Sequence, residues 1–234
     1  MNSEPLISVG IPTYNNAAYI RQAIDSILSQ GYENIEIVVA DSSTDGTKAI
    51  VEGYNNKKLK YFFQEKQGLF AARNLCVEKA SGSLMAWLDG DDYYEAGKLC
   101  AQLEYMRERP DCEIVFTRYK NFLEDESMSS LAGVQREISF EKSNRYYLNT
   151  SLTKRATLDK MGVFIGRQGL AEDIDMTSRM KVSGVELNHL IDNVYYHRRI
   201  RKGMMTLAGD YSLRESYLAV MGNLRKGIVA KNAK

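Results

Sequence analysis

The sequence predicts an α/β fold with a mostly parallel central sheet and helices on both of its faces. Short apolar runs alternate with segments of helical hydrophobic spacing through the first half of the chain, and this alternation is typical of parallel sheets. Several of the runs end in polar residues, and ligands of such folds bind beyond the carboxyl ends of the strands. With 234 residues, the chain is long enough for a sizeable core, and we expect a single domain over residues 1–234.

Strands in the first half are predicted from short apolar runs at residues 6–12, 35–40, 59–64, 83–88 and 113–116. Apolar residues at helical spacing predict helices at residues 17–30, 45–54, 68–80 and 96–109. Gly82 follows the third helix and Pro110 ends the fourth, as these residues commonly do. Polar groups at Thr13, Asp41 and residues 89–92 follow separate strands. We therefore expect them to converge on one edge of the sheet.

The second half of the chain is less regular. Residues 122–141 are polar and aperiodic and predict a loop. A glycine-bearing stretch follows at residues 162–169, and a helix is predicted at 171–182. Two short strands are predicted within residues 185–196, and residues 198–202 are basic. An amphipathic helix is predicted at residues 210–231.

Composition excludes several classes of protein. Lys and Arg number 31 and Asp and Glu number 30, so the net charge provides no attraction to nucleic acid. The three cysteines, Cys76, Cys100 and Cys112, form no CxxC pair, and we interpret them as buried, reduced thiols. The N-terminus lacks a signal-peptide pattern, and no apolar run reaches the roughly 18 residues of a membrane span. We therefore expect a cytoplasmic protein.

The acidic loop after the fourth predicted strand is the most informative feature. Asp89, Asp91 and Asp92 lie within four residues of one another, and like charges this close are costly unless a cation compensates them. Carboxylate oxygens suit Mg²⁺ or Mn²⁺. A solvated acidic turn is the alternative, and the position directly after a buried strand favours a metal site.

Two further polar residues are placed to meet a ligand at the same edge. Asp41 ends the second predicted strand. A carboxylate only accepts hydrogen bonds, so a base that binds there needs a ring N–H, as uracil and guanine have. Its neighbour Asp45 is explained as a helix N-cap. Arg73, on the third predicted helix, either approaches a base or a pyrophosphate or is a solvated helix residue, and its spacing leaves both interpretations open.

An acidic pair, Glu172 and Asp173, opens the helix predicted at residues 171–182. Acidic residues are common in a first helical turn because they complement the helix dipole, so the pair alone indicates no site. His189 and His197 show no metal-ligand spacing, and we interpret both as structural.

The order of these motifs resembles that of the family 2 glycosyltransferases, which have the GT-A fold, a Rossmann-like α/β architecture. The matching stretches are SVGIPTYN at residues 8–15, VVADSSTDGT at 38–47, GLFAARN at 68–74, LDGDD at 88–92 and EDIDM at 172–176. The resemblance covers residues 6–118 and residues 150–206. It implies that residues 6–118 bind the nucleotide sugar and that residues 119–206 form the acceptor-side half.

The resemblance implies how a nucleotide-sugar donor is held. Thr13 and Asp41 are expected to hold the nucleotide, with Asp41 at the base, and Arg73 is expected near the base or the diphosphate. The full set of donor-binding residues expected from the resemblance is Pro12, Thr13, Tyr14, Asp41, Arg73, Asp91 and Arg201.

The resemblance also implies the metal site and the catalytic group. Asp91 is expected to contact ribose or metal and Asp92 to ligate the metal, so the expected cofactor is Mn²⁺ or Mg²⁺. Asp173 is expected to be the catalytic base.

The chain departs from the family pattern at two positions. Family members usually carry a further acidic residue where this chain has Ala40. Many also carry a metal-reaching histidine near the end of the matched region, and the corresponding position here is Arg201. A cation there cannot ligate metal but can bind a diphosphate directly.

These features together predict an inverting transfer of a hexose or N-acetylhexosamine from a nucleoside diphosphate, most simply UDP, to a hydroxyl of a glycan or lipid-linked acceptor. A nucleotidyltransferase is one alternative, although residues 13–16 carry neither the glycine nor the lysine of a phosphate loop. An inactive nucleotide-sugar-binding module is the other.

The helix predicted at residues 210–231 has an apolar stripe beside basic residues. We expect it to pack against the domain, since apolar stripes are normal on surface helices. Peripheral contact with the inner face of a membrane is the second possibility for this helix.

Overall fold

A computed structural model of the chain describes residues 4–65, 68–130, 146–165 and 172–202, together with Val134 and Glu141. The strands are β1 (Ile7–Thr13), β2 (Ile35–Asp41), β3 (Leu59–Phe63), β4 (Leu84–Trp87), β5 (Tyr93–Tyr94), β6 (Ile114–Leu123), β7 (Leu152–Lys154) and β8 (Leu190–Ile200). The helices are α1 (Ile20–Leu28), α2 (Thr47–Glu52), α3 (Leu69–Lys79), α4 (Lys98–Glu108), α5 (Arg155–Met161) and α6 (Glu172–Val182). Short 3₁₀ helices cover Glu126–Ser130 and Leu148–Thr150.

The strands form one sheet in the order β3-β2-β1-β4-β7-β6-β8-β5. Pairing is parallel between β3, β2, β1 and β4 and between β6 and β8, whereas β7 lies antiparallel between β4 and β6 and β5 is antiparallel to β8. The predicted α/β class with a mostly parallel sheet is thus confirmed. The parallel part brings the carboxyl ends of β1, β2 and β4 to one edge.

Two apolar layers cover the sheet because the side chains of each strand alternate between its faces. On one face, Val9 and Ile37 pack with residues of α1, α2 and α4. On the other, Val38 and Trp87 pack with residues of α3 and α6. Burial of each large aliphatic side chain contributes about 1.5–3 kcal/mol, so both helical layers are held mainly by these strands.

Gly10 in β1 allows α3 to pack closely on the sheet. A Cβ at this position would lie 2.7 Å from Met85 Cε, 2.9 Å from the Trp87 ring and 3.0 Å from Cys76 Cβ. The absent side chain therefore sets the depth at which α3, which carries Arg73, sits against β1 and β4.

The second half differs from the predicted elements in two places. The strand predicted at residues 113–116 continues to Leu123, into the predicted loop. Residues 185–196 were predicted as two strands, but one strand, β8, runs through the polar pair Asp192 and Asn193. The register of β6 with β8 shifts there, from Thr117 opposite Ile191 to Arg118 opposite Val194. The polar pair thus lies in a bulge instead of ending the strand.

Cys100 is exposed, so the expectation of three buried thiols is wrong for this residue. It follows the buried Leu99 on α4 and falls on the outer side of that helix, whereas Cys76 and Cys112 are buried as expected. Among the described helices, none combines the length and the apolar character needed to cross a bilayer. The helix predicted at residues 210–231 lies outside the described residues.

A lysine is buried beneath the sheet at the start of α4. Lys98 is fully buried, its Nζ donates to Gln102 Oε1 at 2.8 Å, and Nζ lies 4.3 Å from the centroid of the Tyr94 ring. Burial lowers the pKa of Lys98 well below its ordinary value. Between the folded-state pKa and the unfolded value near 10.4, the unfolded chain binds a proton that the folded chain does not, so stability rises with pH in this window.

We expect Lys98→Met to remove this pH dependence. Between pH 6.5 and 9, the free energy of unfolding of the wild type should rise relative to that of the variant. The slope of this difference should approach about 1.4 kcal/mol per pH unit where a full proton is exchanged. Urea titrations across this range measure it, and Lys48→Met, at a position whose side chain is 59% exposed, is the control. A pH-independent difference for Lys98→Met would contradict the expectation.

Candidate functional site

The polar groups predicted to converge do meet at the carboxyl edge of β1, β2 and β4. Gly90, in the acidic loop after β4, lies against the end of β1: a Cβ there would be 2.5 Å from Thr13 Oγ1 and 2.9 Å from Asn16 Nδ2. Glycine between the carboxylates of Asp89 and Asp91 therefore allows the loop to touch the first turn.

That first turn is held by hydrogen bonds to the neighbouring turn after β2. Asn15 adopts φ +52°, its backbone N–H donates to Ser43 Oγ at 2.7 Å, and Asn16 Nδ2 donates to Thr13 Oγ1 at 3.1 Å. Pro12 and Thr13 are buried, whereas Tyr14 is 43% exposed. Of the three predicted donor-binding residues in this turn, Tyr14 alone presents a large exposed surface.

Asp41 lies at the predicted edge but is enclosed. It is 0% exposed. Oδ1 accepts hydrogen bonds from the backbone N–H of Ser43, at 2.8 Å, and from its hydroxyl, while Oδ2 accepts from the Tyr61 hydroxyl at 2.8 Å. Burial, and then the bond to Asp41, raises the pKa of Tyr61 above its ordinary value. The immediate role of Asp41 is to shape the turn after β2, and direct contact with a base stays a prediction that requires Tyr61 to move.

Asp45, predicted to cap α2, does bind its first turn. Oδ1 accepts hydrogen bonds from the backbone N–H of Thr47 at 3.0 Å and from its hydroxyl at 2.6 Å, and Oδ2 accepts from the backbone N–H of Ala17 at 3.1 Å. Asp45 is therefore a structural residue that joins the turns after β1 and β2.

The carboxylates of the acidic loop occupy three different environments. Asp91 accepts a hydrogen bond from Arg201 Nε at 2.9 Å, and the two side chains are each 19% exposed. Asp92 is buried, and its oxygens accept hydrogen bonds from the Tyr196 hydroxyl at 2.5 Å and from the backbone N–H of Arg199 at 2.8 Å. Asp91 is thus the more accessible of the two expected metal ligands.

Electrostatics at the acidic loop favour a compensating cation. Burial, followed by the charges of Asp91 and Asp89, raises the pKa of Asp92 well above its ordinary range. Burial, and then the charge of Asp92, raises the pKa of Tyr196 well above its ordinary value. A positive charge beside the loop would lower the cost of ionising Asp92.

Asp89 is bound by groups from elsewhere in the chain. Asn149 Nδ2 donates to Asp89 Oδ2 at 2.7 Å, and Asn149 Oδ1 accepts from Arg73 Nη2 at 3.0 Å. Arg73 Nη2 lies 3.7 Å from Asp89 Oδ1, and its guanidinium carbon lies 5.4 Å from the centroid of the Trp87 ring. Arg73 is 1% exposed, so it is not a solvated helix arginine, and its contact with a base or diphosphate stays a prediction. It supports the loop from below.

Asn149 and Tyr196 are site residues that the sequence analysis missed. Asn149 is fully buried in the 3₁₀ helix before β7, and its Nδ2 also lies 3.2 Å from the Tyr196 hydroxyl. No motif or spacing marks either residue. A polar residue in the second half of the chain can be assigned to the site only once the fold is known. The short strand β7 places Asn149 beneath the acidic loop.

Two arginines at the end of β8 close the site. Arg199 Nε donates to the backbone carbonyl of Asp91 at 2.9 Å, and Arg199 Nη2 donates to Gln22 Oε1 at 2.6 Å. Arg201 Nη2 donates to Asn16 Oδ1 at 3.0 Å. Both guanidinium groups lie over the Tyr19 ring, at 4.7 and 5.2 Å from its centroid. Arg201 therefore reaches the edge predicted for it, between the first turn and the acidic loop.

The helix that carries the predicted base is fixed by an internal ion pair. Asp173 lies in the first turn of α6, and its side chain lies outside the described part of the structure. Asp175 is buried and accepts two hydrogen bonds from Arg179, from Nε at 2.9 Å and from Nη2 at 2.6 Å. Arg179 also donates to the backbone carbonyls of Met161 and Val163. Asp175 thus positions the helix.

The donor set partly fits a divalent cation. Among the described residues, no group of three or more His, Cys, Asp or Glu side chains is arranged to hold a metal. The oxygen donors of Asp91 and Asp92 nevertheless have the chemistry that Mg²⁺ and Mn²⁺ prefer. A site of this kind needs further ligands from a substrate, as Mg²⁺ sites with substrate phosphates do.

Several curated glycosyltransferases are similar to the chain in sequence. The chain is 31% identical to an uncharacterized glycosyltransferase of Rickettsia typhi, over 95% of this chain and 72% of that protein. It is 39% identical over 128 residues to a Bacillus subtilis glycosyltransferase whose name assigns it to teichuronic acid biosynthesis, over 53% of this chain and 50% of that protein.

Solved glycosyltransferases share the fold. The Staphylococcus aureus TarS fragment 1–349, in complex with UDP-GlcNAc, superposes with a TM-score of 0.72 at 26% identity, over 92% of this chain and 64% of that one. A Pyrobaculum calidifontis mannosyltransferase in complex with GDP-Man and Mn²⁺ superposes with a TM-score of 0.64 at 22% identity, over 86% of this chain and 59% of that one. The GT-A fold is confirmed by these matches.

The family described as Glycosyl transferase family 2 matches residues 8–174. This range begins in β1, includes the acidic loop and ends in the first turn of α6. The chain belongs to glycosyl transferase family 2.

Proposed function

We propose that the chain transfers a hexose or N-acetylhexosamine from a UDP-sugar to a hydroxyl of a glycan or lipid-linked acceptor, with inversion at the anomeric carbon. The observation that carries the proposal is the meeting of the first turn, the acidic loop and Arg201 at the carboxyl edge of the sheet. UDP is favoured because TarS, at 26% identity, is solved with UDP-GlcNAc. A glycan acceptor is favoured by the name of the Bacillus subtilis relative.

The proposed donor site lies in residues 6–118 and the proposed acceptor side in 119–206 of a single domain. Tyr14 offers an exposed ring against which a base can stack. Arg201 offers a planar guanidinium that can bind a phosphate through two N–H groups. We place the protein in the cytoplasm, and peripheral contact with the inner face of a membrane through residues 210–231 is the second proposal for that segment.

Asp91, with Asp92 behind it, is the proposed holder of Mn²⁺ or Mg²⁺. When bound, such an ion offsets negative charge on the diphosphate leaving group. Arg73 and Asn149 keep the loop in place from below. The protein thus contributes a preformed acidic loop, and the donor phosphates contribute the ligands that the described residues do not.

Asp173 is the proposed general base. It accepts the proton of the acceptor hydroxyl as that oxygen attacks the anomeric carbon, and attack opposite the departing diphosphate inverts the configuration. Successive residues in a helix point about 100° apart, so Asp173 and Glu172 cannot both face the acceptor. The ion pair of Asp175 with Arg179 holds this turn of α6 in position.

We expect Asp91→Asn and Asp92→Asn to lose the Mn²⁺-dependent part of UDP binding, because each change removes a negative oxygen from the proposed metal site. Calorimetric titration of UDP with and without Mn²⁺ measures it, and we expect at least a tenfold loss, about 1.4 kcal/mol. Asp192→Asn, at a surface position that is 81% exposed, is the control. Wild-type binding by both loop variants would contradict the metal assignment.

We expect Asp173→Asn to reduce transfer about a hundredfold to ten-thousandfold while UDP-sugar binding persists, because the loss of a general base has this effect. Glu172→Gln is the matched control and should have the smaller effect. Release of UDP from UDP-hexoses and UDP-N-acetylhexosamines measures turnover. The reverse pattern would exchange the two roles, and wild-type rates in both variants would place the base elsewhere.

The same assay separates the alternative functions. Release of pyrophosphate in place of UDP would favour a nucleotidyltransferase. Binding of UDP-sugar with no turnover by the wild type would favour the binding module.

We expect Asn149→Ala to raise the donor KM about tenfold. The change removes the hydrogen bond that Asn149 accepts from Arg73 and the one that it donates to Asp89. A hydrogen bond to a charged group contributes about 1.5–3 kcal/mol. Ser151→Ala is the control, because the hydrogen bonds of the buried Ser151 hydroxyl join it to the Leu148 carbonyl and to Thr153, outside the acidic loop. Both variants should lower Tm. An equal donor KM in the two variants would show that Asn149 acts on stability alone.

A further inference from the structure

Arg201 lies beside Asp91, the more accessible of the two expected metal ligands. Its Nε is 2.9 Å from Asp91 Oδ2, and its Nη2 is 3.0 Å from Asn16 Oδ1. The guanidinium carbon lies 5.2 Å from the centroid of the Tyr19 ring. A positive charge therefore already stands next to the oxygen that a divalent cation would bind.

The same guanidinium can bind either of two anions. Its planar set of N–H groups matches a carboxylate and a phosphate equally well. Both side chains of the Asp91–Arg201 pair are 19% exposed, so water and an incoming ligand can reach them. A diphosphate at this edge, with more negative charge than a single carboxylate, competes with Asp91 for Arg201.

The loop does not depend on Arg201 for its position. Arg199 binds the carbonyl of Asp91 through its side chain and Asp92 through its backbone N–H. The Tyr196 hydroxyl binds Asp92 from the core. Arg201 can therefore leave Asp91 while these contacts still hold the loop, so exchange costs one partly buried ion pair and one hydrogen bond to Asn16.

The geometry points to Arg201 as an exchangeable counter-ion of Asp91: it pairs with this carboxylate and opposes a divalent cation there, and a nucleoside diphosphate withdraws it. The inference rests on the proposed function, since it takes the donor diphosphate as the competing anion. Nucleotide and divalent cation then bind cooperatively, because each favours the state in which Arg201 has left Asp91.

Binding of Mn²⁺ alone tests this inference without any turnover. We expect Arg201→Gln to bind Mn²⁺ at least tenfold more tightly than the wild type in the absence of nucleotide, because the repelling charge is gone. In the wild type, saturating UDP should tighten Mn²⁺ binding at least tenfold, and Mn²⁺ should tighten UDP binding by the same factor. In Arg201→Gln the coupling should fall, and UDP without metal should bind more weakly.

Arg201→Lys keeps the positive charge but loses the planar N–H fork, so its Mn²⁺ affinity should stay near that of the wild type. Arg118→Gln, which removes a surface arginine paired with Asp192, is the control and should change neither affinity. Thermal melts of each variant identify any loss of folding. If Arg201→Gln does not fold, Arg201→Lys replaces it in the test. For Arg201→Lys we expect weaker UDP binding and unchanged Mn²⁺ binding.

An Mn²⁺ affinity of Arg201→Gln no higher than that of the wild type would overturn the inference, as would Mn²⁺–UDP coupling that is unchanged in this variant. Absence of UDP binding by the wild type would overturn the donor assignment instead. The comparison of the two proteins with Mn²⁺ alone would still decide whether Arg201 competes for Asp91.

Discussion

Mutual repulsion among three carboxylates in one short turn is the constraint on which the site depends. Asp89, Asp91 and Asp92 cannot all remain charged at this distance without compensation. Each carboxylate has its own partners in the fold. Arg73 and Asn149 lie beneath Asp89, and Arg201 pairs with Asp91. Asp92 accepts hydrogen bonds from the Tyr196 hydroxyl and the Arg199 backbone N–H. A negative but ordered loop results, able to receive one more positive charge.

These partners explain why the irregular second half packs as it does. β7 is only three residues long, yet its insertion between β4 and β6 places the preceding 3₁₀ helix, and with it Asn149, beneath the loop. β8 runs parallel to β6 and carries Tyr196, Arg199 and Arg201 toward the same point. The second half of the chain therefore supplies partners of the acidic loop, and the two halves share one polar network.

The sequence predicted the parts whose signal is local. β1, β2 and β4 are continuous apolar runs buried on both faces, so their existence and the polar groups after them were predictable. β5 and β7 were not, since strands of two and three residues carry too little pattern to recognise. The single strand β8 was not predicted either, because it continues through a bulge at the polar pair 192–193.

Residue roles were less predictable than residue positions, because burial depends on distant packing. Asp41 follows its strand as expected, but Tyr61 from the neighbouring strand covers it. Arg73 occupies its predicted helix, but Gly10 brings that helix so close to the sheet that the guanidinium is buried over Trp87. Sequence spacing carries no information on either contact, since both join residues from separate elements.

The long sequence separation between the acidic loop and β8 has a consequence for folding. Asp91 and Asp92 meet their partners across more than a hundred residues, between positions 91–92 and 196–201. Loop closure over such distances is slow compared with local helix formation. During synthesis the parallel strands β1 to β4 emerge long before the strand that binds the loop. Asp91 and Asp92 therefore lack these partners until β8 docks, so its arrival both completes the sheet and assembles this part of the site.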